Sequence, residues 1–131
     1  MWPVLLCSLL GCSQDARLGR VDGIVRLDGK PLTAGTVKFT PDAGRSAAGQ
    51  IQSDGTFTLG TYGTSDGALI GTHRVAVIAY EASVDTRPAY EVRTPSKPLV
   101  PQRYMSEGTS RLTFEVKPGK NFAEFDLQSG R

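Results

Sequence analysis

The sequence predicts an all-β domain built from two packed sheets. Three observations carry this expectation: short runs of period-two apolar alternation, glycine and proline punctuation between those runs, and no window of sustained 3.6-residue periodicity. Fifteen glycines and eight prolines in 131 residues, with 8% aromatic content, suit many short strands and turns better than helices. That length allows one domain with a single core and leaves no room for a second.

In chain order, Val21, Gly23, Val25 and Leu27 share one parity, while Asp22, Ile24, Arg26 and Asp28 share the other, as in a strand with one face in a core. Asp28-Gly29 tolerates positive φ and Pro31 follows, so a hairpin or tight corner into a second strand, Thr36 to Thr40, is expected. A third strand begins at Gly49–Gln52. Asp54-Gly55 then reads as a two-residue type I′ hairpin into a fourth, Thr56–Gly60, with Phe57 and Leu59 inward. After a glycine-rich connection, Tyr62–Leu69, the segment Gly71–Tyr80 is apolar on both parities and is expected to be central.

Glu81–Arg103 holds four of the eight prolines and is expected to be a long extended loop. Beyond it Leu112, Phe114 and Val116 alternate with Arg111, Thr113, Glu115 and Lys117. Pro118–Asn121 makes a turn, and Ala123, Phe125 and Leu127 line one face of a closing strand. The last two strands are expected to form a hairpin, with Ser129–Arg131 as a tail.

Several of these residues carry a resemblance. The run V-x-G-x-V-x-x-D-G-x-P-L-x-x-G-x-V-x-F-x-P from Val21 to Pro41, followed by GQIQSDGTFTL and GTHRVAVIAY, resembles the carboxypeptidase regulatory-like domain of the transthyretin-like (prealbumin-like) group. The closing stretch Pro101–Gln128 is similar to small exported bacterial lipoproteins built on that one domain. The resemblance implies a seven-stranded Greek-key β-sandwich, over residues 21–128, without catalytic machinery of its own. It says little about function.

Met1–Cys12, MWPVLLCSLLGC, is an apolar run too short to span a bilayer and sits where a secretory h-region would sit, although no Lys or Arg precedes it. Leu9-Leu10-Gly11-Cys12 resembles a bacterial lipobox. It implies lipidation at Cys12, a short tether over residues 13–20, and an exported protein anchored in the membrane at the cell envelope, periplasmic or on the cell surface.

Chemistry is sparse. The net charge is +2, from scattered Lys and Arg with no interleaved aromatic platform, so nucleic acid is not an expected partner. Both cysteines, Cys7 and Cys12, precede the domain, and His73 is the single histidine, so no catalytic group, metal site or cofactor is expected. His73 reads as a structural residue near a strand end. The four Asp-Gly pairs at Asp22, Asp28, Asp54 and Asp66 read as corners, lacking the dense spacing of a calcium loop. A Lys–Asn cross-link among Lys38, Glu115 and Asn121 is disfavoured, because both charged residues alternate to the solvent side. The expected role is a non-catalytic envelope module for adhesion, scaffolding or accessory binding to an unknown envelope protein. The alternative is a small-ligand or glycan-binding module using the 81–104 loop, through Tyr90, Arg103 and Tyr104; a remote transthyretin-like hydrolase comes third.

Overall fold

The computed structural model describes residues 17–81, 88 and 97–130. Among them are nine strands: β1 (Leu18–Leu27), β2 (Lys30–Pro31), β3 (Thr36–Pro41), β4 (Ala47–Gln50), β5 (Thr56–Thr58), β6 (Ala68–Leu69), β7 (Gly71–Ile78), β8 (Leu112–Val116) and β9 (Lys120–Leu127). A short 3-10 turn covers Gln102–Met105. The strands form two sheets, one joining β1, β2, β5, β6 and β9, the other in the order β4-β3-β7-β8. The protein is an all-β sandwich.

β1 organises the first sheet. Along one edge it runs parallel to β9 for eight residue pairs, from Arg20 beside Lys120 to Leu27 beside Leu127. Its other edge is shared among short segments in succession: β6 at Leu18–Gly19, β5 at Asp22–Ile24 and β2 at Arg26–Leu27. Val25 shows the hand-over, since its C=O accepts from Leu32 N–H while its N–H donates to Gly55 O. The strand begins at Leu18, and Arg17 O already accepts from Ile70 N–H, so the expected tether ends short of residue 20.

Three expected pairings differ. Asp28-Gly29 makes the expected tight turn, with φ of 52° and 84°, but the strand it serves is only β2. Pro31 has no N–H for a longer ladder, buried Leu32 turns inward, and the chain crosses to the other sheet before β3 begins. At Asp54-Gly55 only Gly55 has positive φ, so the turn is not type I′. Gln52 O accepts from Gly55 N–H and Thr56 O from Gln52 N–H, making a wider turn that carries the chain from β4 in one sheet to β5 in the other. β8 and β9 are not a hairpin either. Their apolar faces meet across the core, with Phe114 and Phe125 edge to face at 6.5 Å between centroids.

β7 lies between β3 and β8, as its two-sided apolarity predicts; His73, Val75, Ala76 and Val77 are buried. Between the sheets Phe125 packs on Phe39 and Phe57, at 6.0 and 6.3 Å between centroids, and Val21, Val25, Leu59 and Leu127 are sealed around them. The described part of the proline-rich loop returns to the core: Tyr80 bridges Pro98, Leu99 N–H donates to Ala79 O, and Val100 is buried. Asp22-Gly23 is no corner but lies inside β1, where a β-carbon on Gly23 would overlap Ala123 O and the Phe57 ring.

Gly23→Ala is therefore expected to lower stability by about 3 kcal/mol, because the obstacle is ladder backbone that cannot swing away. Gly29→Ala, where a β-carbon meets nothing within 4 Å and only the positive φ is penalised, is expected to cost about 1 kcal/mol. Urea unfolding midpoints of the two variants test the difference.

Candidate functional site

His73, the third residue of β7, is turned into the sandwich and fully buried. Its Nε2 lies 2.6 Å from Leu69 O, and the ring packs tilted against Phe39 at 5.6 Å between centroids. A carbonyl can only accept, so Nε2 carries the proton and the imidazole ties β6 to the start of β7. Nδ1 has no hydrogen-bond partner among the described residues. With no solvent access the ring has no route to a dissolved substrate. Among the described residues no group of three or more His, Cys, Asp or Glu side chains is placed to hold a metal ion.

Of the residues expected to contact a ligand, Arg103 and Tyr104 come together in the 3-10 turn, while Tyr90 and the lipidation candidate Cys12 lie outside the described residues. The Arg103 guanidinium sits over the Tyr104 ring, 4.6 Å from its centroid, and Nη2 donates to Tyr104 Oη at 3.1 Å and to Gln128 O at 2.7 Å. Gln128 N–H also donates to Tyr104 Oη, at 3.1 Å. Tyr104 is 8% exposed. The pair pins the end of β9 to the loop before β8, and one face of the ring is already covered by a cation. A cleft of about 560 Å³ beside it is lined by Ser110, Leu112 and Gln128.

The larger concavity, about 720 Å³, is an open groove between β4 and β5, lined by Thr36, Gly49, Gln50, Gln52, Thr56 and Thr58. Its lining mixes threonine hydroxyls, glutamine amides and backbone with Ala48 and Phe57, without a charged side chain or a nucleophile paired to a base.

Carboxylates hold the turns. Asp66 accepts N–H groups of Thr61, Tyr62 and Gly63 at 2.7, 3.1 and 3.0 Å, closing the loop before β6. Desolvation acts to raise its pKa, but the three backbone donors outweigh it and the net shift is downward. Asp54 is lowered by Thr56, whose hydroxyl and N–H it accepts at 2.6 and 3.0 Å. Asp22 is lowered first by Arg20 and then by the Thr58 hydroxyl, at 2.9 and 2.6 Å. Asn121 fills a similar role: its Oδ1 accepts Lys117 N–H, and its Nδ2 donates to Lys117 O and Arg20 O, joining the β8–β9 turn to β1. Lys38 and Glu115 are exposed, as their parity predicts.

No family model matches the chain, and no curated protein or solved structure matches it at a significant level.

Because the folded-state pKa values of Asp22, Asp54 and Asp66 are lowered, their contribution is fully present above the ordinary aspartate value of about 3.9 and is lost as pH falls through the folded values. The melting temperature is expected to fall steeply only below about pH 4 on their account, and the acid limb to be shallower in Asp54→Asn/Asp66→Asn. Calorimetry across the acid range checks this. His73→Ala, which deletes a sealed ring and strands Leu69 O, is expected to cost about 2–4 kcal/mol in urea unfolding.

Proposed function

We propose that the chain is a non-catalytic, exported β-sandwich module of the transthyretin-like, carboxypeptidase regulatory-like type, held at the cell envelope by lipid on Cys12 and serving adhesion, scaffolding or accessory binding. What supports the finer fold reading is that seven of the nine described strands, β1, β3, β4, β5, β7, β8 and β9, have three or more residues, β2 and β6 having two each.

The observation that carries the non-catalytic reading is the position of His73. The one imidazole in the chain is fully buried and bonded to a backbone carbonyl, so general-base or nucleophilic chemistry of the usual kinds has no exposed histidine to use. The described aspartates with lowered pKa values are likewise bonded to turn N–H groups, hydroxyls or an arginine. Export and anchoring rest on the apolar leader and the Leu9-Leu10-Gly11-Cys12 sequence. No helix among the described residues is long and apolar enough to cross a membrane. A lipobox cysteine carries diacylglycerol, hence more than one acyl chain, and each buried CH₂ contributes about 0.8 kcal/mol, which gives stable attachment.

The full chain expressed in a lipoprotein-processing host is expected to incorporate labelled palmitate and to sediment with membranes, and Cys12→Ser to do neither. A wild-type chain that is exported without label overturns the anchoring. Reproducible turnover by the purified protein in a panel of ester, amide and glycoside substrates overturns the non-catalytic reading.

A further inference from the structure

Among the described residues, the N-terminal end of the sandwich carries an excess of exposed cations over acids that the opposite end does not. Arg17, where the described domain begins, sits beside the 41–43 and 69–72 segments around a cleft of about 400 Å³. The 117–120 turn joins the same end, through Gly119 O accepting from Arg20 N–H and through the Asn121 bonds. Among the described residues at this tip, Arg17, Arg45, Lys117 and Lys120 are exposed cations and Asp42 is an exposed acid. Arg20 is paired with Asp22 at 2.9 Å. Glu115 lies one strand step back from the tip, and the Asp66 carboxylate is held by three N–H groups. Toward the far end, among the described residues, Asp28, Glu81 and Glu107 offset Lys30, Lys97 and Arg111.

Arg45 also stands over the ring of Tyr62, 5.1 Å from its centroid, and Tyr62 is 63% exposed. An exposed tyrosine beside an arginine suits the headgroup layer of a bilayer, where an aromatic ring and a cation both find partners.

Five residue steps separate Cys12 from Arg17, a reach of roughly 17 Å when fully extended. Only full extension carries this end about two Debye lengths from the surface, and a slack tether this short returns it to within one, where anionic headgroups attract its cations.

We propose that the end of the sandwich carrying Arg17, Arg45, Lys117 and Lys120 docks on anionic phospholipid headgroups, fixing which face of the domain is turned to the membrane and which is offered outward. The inference rests on the lipid anchor at Cys12. Electrostatic attraction of the four cations and insertion of Tyr62 at headgroup depth orient the domain, and the far end, with Lys30 and Glu81, faces away from the bilayer.

The test uses the lipidated full chain in phosphatidylcholine vesicles with and without phosphatidylglycerol. A fluorophore is placed on Thr72→Cys at the docking end or on Lys30→Cys at the far end, and quenching by a headgroup-attached nitroxide is read. Quenching at position 72 is expected to exceed that at position 30 by at least about fivefold on anionic vesicles, and to fall toward equality on neutral vesicles, in high salt, or in Lys117→Glu/Lys120→Glu. Both charge changes are at exposed side chains, and an unchanged circular dichroism melt confirms that the variant is folded. Vesicle flotation with equal quenching at the two positions, or with a difference indifferent to anionic lipid, overturns the docking and leaves the anchor standing. Failure to float with vesicles overturns the anchor and the docking together.

Discussion

The first and last strands of this domain lie side by side in parallel, and that ladder holds the rest in place. Eight residue pairs join segments about a hundred positions apart in the chain. Neither strand can stand alone: each has one apolar face, Val21 and Val25 on β1 and Ala123, Phe125 and Leu127 on β9, and the two faces become one wall of the core only when the chain ends meet. The ladder demands a glycine at position 23, where the Ala123 carbonyl and the Phe57 ring leave no space for a β-carbon. Forming it closes nearly the whole chain into one loop, the longest closure among the described strand pairings.

Polar groups near the core are assigned to structure. Asp66 gathers three N–H groups that would otherwise point into an irregular loop, Asn121 knots a turn to β1, and Ser110 Oγ donates to Val75 O beside the entry to β8. His73 does the same from inside the sandwich, bonding Leu69 O where β6 gives way to β7. Each pairs a backbone group that would otherwise lack a partner within the fold, buried at Leu69 and Val75 and exposed at Arg20 and Lys117. The same holds for Arg103 and Tyr104, whose hydrogen bonds go to Gln128 and to each other. Among the described residues, the outward features include a groove beside β4 and β5 and a basic tip beside the N-terminus.

The two-layer all-β class, the central place of β7 and the inward sets Phe57/Leu59 and Ala123/Phe125/Leu127 were legible in the sequence, because alternation reports burial directly. Which strand lies beside which was not. A strand with one apolar face looks the same whether its successor continues the sheet or packs opposite it, and β8 followed by β9 takes the second course. The Asp-Gly pairs show a related limit: Asp28-Gly29 is a tight hairpin, Asp54-Gly55 a wider turn between sheets, and Asp22-Gly23 the interior of a strand. Glycine signals positive φ or close approach, and the sequence alone does not say which. The roles of Asp66 and Asn121 left no signal beyond their being residues that bond nearby backbone readily.

The parallel ladder fixes the phase of β9. Arg20 N–H donates to Gly119 O and Asp28 N–H to Leu127 O, so the N–H groups of Asn121, Ala123, Phe125 and Leu127 face β1, and those of Phe122, Glu124 and Asp126 face the other way. Amide hydrogen exchange resolved by residue reads this directly. Slow exchange at Ala123 and Phe125 with fast exchange at Phe122, Glu124 and Asp126 is the result expected of a last strand clasped to the first; uniform protection along β9, or the inverse alternation, would contradict it.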